Sequence, residues 1–119
     1  MKTLFLADGE NHVRKAVRLA IENQEIAVIS GEAENAESLL AQVCLKQPDI
    51  VLMDWNLPGT NHQRLIQIIR DHCPSTCLYA MSVKPEDERI IQDYPVDGFL
   101  SKQMNPEIFI QSLIKIVQK

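Results

Sequence analysis

Five short apolar runs, none of them broken by regular polar alternation, recur along the chain at residues 3–7, 26–30, 49–54, 76–82 and 98–101. A strand with one wet face alternates apolar and polar side chains. Unbroken runs instead predict strands buried on both faces, as in a parallel sheet. Between the runs the apolar spacing becomes helical. Val13, Val17, Ala20 and Ile21 fall at i, i+4, i+7 and i+8, while Ala36, Leu39, Leu40 and Val43 form a second stripe. Leu65, Ile66 and Ile69 form a shorter third. Strand and helix periods in alternation predict an α/β chain of five βα units, with helices on both faces of the sheet and right-handed crossovers.

Local punctuation agrees with this reading. Asn105-Pro106-Glu107 sets a cap residue, a first-turn proline and an acid in their favoured order, opening a final helix to about residue 117. Lys84-Pro85-Glu86-Asp87 opens a short helix that Tyr94-Pro95 ends, because proline disfavours helical geometry in the residue before it. Asn56-Leu57-Pro58-Gly59 is loop chemistry directly after the central strand. No linker, repeat or low-complexity tract interrupts the 119 residues, which are expected to form one domain over 1–119.

Composition narrows the function. Sixteen acids against twelve bases give a formal charge of −4, which argues against non-specific binding to nucleic acid or an anionic membrane. No apolar run approaches the ~18 residues of a membrane span, and no leader pattern opens the chain, so a cytoplasmic location is expected. Cys44, Cys73 and Cys77 are odd in number, lack C-x-x-C spacing and have no paired histidines, so reduced thiols are expected rather than a disulfide framework or a zinc site.

In open parallel sheets, ligands bind at the carboxyl ends of the strands. The first run leads into Asp8-Gly9-Glu10, the third ends at Asp54, the fourth at Ser82, and the fifth leads into Lys102. Taken singly, each is ordinary: an Asp or Ser after a strand is most often a turn or cap residue, and a Lys is usually solvated. The βα order, however, sends all of them to one rim. Their chemistry suits phosphoryl transfer. A carboxylate can attack phosphorus and form an acyl phosphate. A hard cation such as Mg2+ bridges carboxylates and phosphoryl oxygens. A lysine neutralises the transferring group and a hydroxyl donates to it. Asp54, ending the central strand, is the best nucleophile candidate.

These stretches resemble the receiver domain of two-component response regulators, the chemotaxis-Y-like fold, over residues 2 to about 118. VLMDWNLPG resembles the family's phosphoacceptor segment, and LYAMS and DGFLSK match its hydroxyl-bearing and lysine-bearing strands in order and spacing. The resemblance implies a doubly wound, flavodoxin-like (βα)5 sandwich whose five-stranded parallel sheet has the order 2-1-3-4-5. It implies phosphorylation of Asp54 by a histidine kinase or phosphotransfer protein. Mg2+ would be held by Asp8, Asp54 and the backbone carbonyl of Asn56. Ser82 would bond the phosphoryl group, Lys102 would pair with it, and Phe99 would be the aromatic switch residue. By the same resemblance the face spanning 85–118 would meet a partner, a second copy or an output domain, and the domain would not be an enzyme beyond its own phosphorylation and dephosphorylation. LADGENHVR suggests the subfamily whose receivers precede a helix-turn-helix domain.

The match departs from the family at Gly9, where a second acid normally serves as the direct metal ligand. Glu10 is a further candidate ligand that reaches back; the alternative is that it only favours a helix N-terminus by its charge. The expectation is a weakened Mg2+ site, slow or Mg2+-hungry phosphorylation, or a phosphorylation-independent pseudo-receiver acting as a protein-interaction module. Val83, where a small residue is usual, is expected to narrow access to the site, and Tyr94-Pro95-Val96 to alter the end of the fourth helix. Trp55 is expected to be exposed beside Asp54; His12, His62 and His72 lack ligand spacing. A haloacid-dehalogenase-type phosphatase would need Asp-x-Asp after the first strand and a cap domain, and a flavin fold would need a Ser/Thr/Gly-rich loop there; neither is present.

Overall fold

The computed structural model describes residues 1–119. Four of the five apolar runs hold a strand and the second overlaps one: β1 (Thr3–Ala7), β2 (Val28–Ala33), β3 (Ile50–Asp54), β4 (Cys77–Ser82) and β5 (Gly98–Ser101). Between and after them lie α1 (Asn11–Asn23), α2 (Ala36–Lys46), α3 (His62–His72), α4 (Asp87–Ile91) and α5 (Pro106–Gln118). All strand pairings are parallel, in the order β2-β1-β3-β4-β5, so the expected doubly wound, flavodoxin-like architecture is present.

The sheet divides its side chains between two cores because successive residues point to opposite faces. Phe5, Val51, Met53, Leu78 and Ala80 pack with α2 and α3 through Leu39, Val43, Ile66 and Ile69. Leu4, Leu6, Ile50, Leu52, Tyr79 and Met81 pack on the other face against Ile21 of α1 and Leu113 of α5. Each fully buried Leu or Ile contributes about 1.5–3 kcal/mol relative to exposure. The two layers therefore hold the strand ends, and the acidic rim above them, on a rigid base.

Three helices open on asparagine. Asn35 accepts the Ser38 N–H at 2.8 Å, Asn61 the Arg64 N–H at 3.1 Å, and Asn105 the Glu107 N–H at 2.8 Å. α1 lacks such a cap; Glu10 stands at its start without a side-chain capping hydrogen bond.

The second strand corrects the sequence reading. It runs over Val28–Ala33 rather than 26–30, because Ile26 still bonds back to Ile21 at the end of α1. Gly31 and Glu32, beyond the apolar run, pair with Phe5 and Leu6 just after a register irregularity. An edge strand tolerates this polarity. Gly31 also lies under the Phe5 ring, where an added Cβ would stand 2.6 Å from Phe5 Cε2. The fourth helix is short, as expected, and Tyr94 turns back to bond the Ile91 carbonyl at 2.9 Å before Pro95. No helix is long and apolar enough to cross a membrane.

Candidate functional site: an acidic pocket at the strand ends

Register builds the pocket. Ala7 of β1 pairs with Met53 of β3, so the next residues, Asp8 and Asp54, emerge from adjacent strands. Asp54 pairs with Met81 of β4, which places Ser82 one step further along the rim. Ser82 pairs with Ser101 of β5, and the N–H of Lys102 donates to the Ser82 carbonyl at 2.8 Å. Four residues distant in sequence are thus fixed at one edge by backbone hydrogen bonds.

Lys102 is the electrostatic centre of that edge. Its ammonium donates to Asp8 Oδ2 and lies 3.3 Å from Asp54 Oδ2. Asp8 is only 2% exposed; its Oδ1 accepts the Glu10 N–H at 2.9 Å, and its carbonyl accepts from the Arg14 guanidinium at 2.6 Å. Two carboxylates share one cation, leaving a local excess of negative charge. Both carboxylates address the same ammonium, so they face one another across the rim. Carboxylate oxygens are the ligand type that suits Mg2+, a cation that keeps several waters of its own. No third acidic, histidine or cysteine side chain joins them.

Burial pushes the Asp54 carboxyl above its ordinary value of 3.8; Lys102 and the Asn56 N–H pull it down, and the Asp8 charge raises it further. The folded state therefore binds this proton more tightly than the unfolded chain, and the ionised Asp54 costs stability. That penalty is absent below the unfolded value and is fully present above the raised folded one. Asp54→Asn should accordingly raise the thermal midpoint at neutral pH and flatten its fall as pH rises through the acid range. Thermal unfolding scans across acidic to neutral pH check this.

The other candidates are placed as follows. Glu10 is exposed, with its carboxylate 3.1 Å from His12 Nε2, and does not meet the Asp8–Asp54 pair. Beside Gly9 there is little room: a Cβ there would stand 2.9 Å from Pro58 Cδ and 3.2 Å from Pro58 Cγ. The first strand's loop is thus packed on the loop that follows Asp54. Ser82 is fully buried, but its hydroxyl donates to Asp87 Oδ2 at 2.6 Å. Phe99 is half-buried and packs against the α2–α3 core. Val83 is 48% exposed at the mouth of the β4–α4 loop.

Trp55 is not exposed; only 4% of its surface reaches solvent. Its ring stacks on His62 with centroids 3.7 Å apart and 11° between planes, and meets the edge of Tyr94 at 5.0 Å. His62 Nε2 also lies 2.6 Å from the Trp55 carbonyl. Sequence patterning offers no sign of this cluster, because its members come from a strand end, the first turn of α3 and the segment after α4. Asp87 was legible only as a helix-opening acid, since its bond to Ser82 depends on how the β4–α4 loop folds. The cysteines are free thiols, with Cys73 buried and Cys44 and Cys77 half-buried, as the sequence suggests.

Comparison with known proteins agrees with this geometry. The family model "Response regulator receiver domain" matches residues 4–114. The nitrate/nitrite response regulator protein NarL of Escherichia coli (strain K12) is 28% identical over 113 residues, covering 93% of this chain and 52% of that protein. The phosphate regulon transcriptional regulatory protein PhoB of Pseudomonas aeruginosa is 27% identical over 122 residues, covering 99% and 52%. The chain thus spans about half the length of these relatives. Among solved structures, a LuxR-family two-component response regulator from Aurantimonas sp. SI85-9A1 superposes with TM-score 0.86 at 22% identity, over 99% of this chain and 86% of that one. The REC domain of AraT, a response regulator from Geobacillus stearothermophilus, gives 0.84 at 20%, over 98% and 93%. With the strand order, the family match and these relatives in agreement, the chain belongs to the response-regulator receiver domain family.

Proposed function

We propose that Asp54 accepts a phosphoryl group from a phosphohistidine of a sensor kinase or phosphotransfer protein, and that the resulting acyl phosphate switches a partner or output-domain contact. The observation that supports this most is Lys102 held between the carboxylates of Asp54 and Asp8 at the strand ends. In the transfer, an Asp54 oxygen attacks phosphorus, the P–N bond breaks, and the departing imidazole keeps the electron pair and takes up a proton. Lys102 stands where it can exchange a carboxylate oxygen for a phosphoryl oxygen, neutralising the charge that arrives. Mg2+, held by Asp8, Asp54 and the Asn56 carbonyl, would supply positive charge to the phosphoryl oxygens. Asp8 keeps its carboxylate aimed by the Glu10 N–H and the loop held by Arg14. No turnover of an external substrate is proposed.

The test is incubation of the protein with Mg2+ and acetyl phosphate, followed by intact mass. One added phosphoryl group is expected, and none on Asp54→Asn. An adduct that survives Asp54→Asn would overturn the assignment.

A second reading, a phosphorylation-independent interaction module, draws on Gly9 and on the Lys102 bridge, which satisfies both carboxylates without a metal. Absence of any adduct at all Mg2+ concentrations would favour it. The two readings diverge at Gly9→Asp. Its new Cβ forces the Pro58 ring aside, and its carboxylate joins two others around one ammonium. Without divalent cation it should be less stable than the parent by about 1–3 kcal/mol, and Mg2+ should restore more stability to it than to the parent. Urea titrations with Mg2+ or with chelator measure both effects. Equal responses to Mg2+ would show that Gly9 does not limit cation binding.

The two curated relatives named above are regulators about twice this length, and PhoB is a transcriptional regulator by name. A DNA-binding output domain in the full-length protein is therefore part of the proposal, with the 85–118 face as its contact and the cytoplasm as the site of action.

A further inference from the structure

Ser82 carries a single hydroxyl proton, and that proton is committed. The hydroxyl accepts the Lys84 N–H at 3.0 Å and donates to Asp87 Oδ2 at 2.6 Å, wholly out of contact with solvent. Asp87 is 7% exposed and begins α4. No lysine, arginine or histidine forms an ion pair with it. A carboxylate so far from water depends on its hydrogen-bond donors, and Ser82 is the side chain that provides one. An ionised phosphoryl oxygen can only accept, so a phosphoryl group on Asp54 and the Asp87 carboxylate would compete for the same proton.

Resting on the phosphoacceptor reading of Asp54, we propose that Asp87 is a positioning residue that holds Ser82 in the resting state and converts phosphorylation into release of α4. One donor cannot serve both acceptors. When Ser82 turns to the phosphoryl group, Asp87 loses its donor in a dry site and is relieved by moving outward into water. The helix is poised for that movement. Of its five residues only Asp87 and Ile91 are buried, so freeing Asp87 leaves Ile91 as the single inward anchor. The exchange also sets the threshold of the switch, because the strength of the Ser82–Asp87 bond opposes occupancy of Asp54.

The experiment measures beryllofluoride binding to Asp54 in the presence of Mg2+ by fluorine NMR, with amide hydrogen exchange over residues 84–91 before and after binding. The wild-type protein is compared with Asp87→Ala, Asp87→Asn, Ser82→Ala and the Ser82→Ala/Asp87→Ala double variant. Asp87→Ala should bind about 5- to 10-fold more tightly than wild type, with Asp87→Asn between them. The double variant should match Ser82→Ala alone, which separates a role exerted through Ser82 from general loosening of the loop. Wild-type amides over 84–91 should exchange faster on binding, whereas those of Asp87→Ala should be fast already. If Asp87→Ala fails to fold, Asp87→Asn carries the same sign. Binding by Asp87→Ala that equals or falls below wild type, or a gain that persists without Ser82, overturns the latch and leaves the phosphoacceptor reading standing. Failure of every protein, wild type included, to bind beryllofluoride overturns the phosphoacceptor reading itself and the latch with it.

Discussion

Replacing Lys102 by Met should lower stability by about 3 kcal/mol in the absence of divalent cation, toward the lower end of the cost of breaking a buried charge pair. The substitution keeps the length and much of the apolar stem but removes the ammonium. Asp8, at 2% exposure, and the partly buried Asp54 then face each other with no cation between them. Because Lys102 itself keeps some contact with water, the full penalty of a dry pair does not apply. Two further outcomes separate electrostatics from packing. Mg2+ in the millimolar range should return part of the loss, since it can occupy the same focus of two carboxylates. Combining Lys102→Met with Asp54→Asn should return part of it without metal, because only one buried charge remains. Urea unfolding with chelator, with Mg2+ and in the double variant measures all three. A loss that neither Mg2+ nor Asp54→Asn reduces would mean that Lys102 acts through packing instead.

Trp55→Ala should be costlier, at about 3–5 kcal/mol, the range for truncating a buried aromatic. The ring packs against both His62 and Tyr94, which also meet each other, so its removal opens a cavity beside two buried contacts. An exposed tryptophan beside the site would cost less than about 0.5 kcal/mol, so the measurement discriminates sharply between the two placements. Unfolding must be followed by circular dichroism, since Trp55 is the chain's only tryptophan. The cluster also has a functional side. Trp55 follows Asp54 directly, its N–H donates to the Met81 carbonyl at 2.8 Å, and Tyr94 lies just past α4. Substitutions here should therefore change the pocket as well as the stability.

The contrast between Lys102 and Trp55 shows how far the sequence could be read. Lys102, Asp8, Asp54 and Ser82 were legible because each directly follows or ends an apolar run. Parallel βα topology sends every such position to one rim, whatever the details of packing. The same logic gave no handle on Trp55. One position past a strand end, a side chain can lie in solvent or fold back under a loop. What decides is whether another element supplies a partner surface, here His62 of α3 and Tyr94 beyond α4. The second strand was misplaced for a related reason: Gly31 and Glu32 lie beyond the apolar run, and only pairing with Phe5 and Leu6 makes them strand.

By itself, then, the sequence determined the layer order, the buried central strand and the set of groups that meet at its carboxyl end, since these follow from hydrophobic period and chain direction. Tertiary structure decided what those groups do to one another. It placed one ammonium between two carboxylates, closed the space beside Gly9 with Pro58, left Glu10 on the surface, and gave the Ser82 proton to Asp87. The physical reason is range. Burial periodicity is local and repeats along the chain, whereas a hydrogen bond or an ion pair is settled within a few tenths of an ångström by residues that meet only after folding.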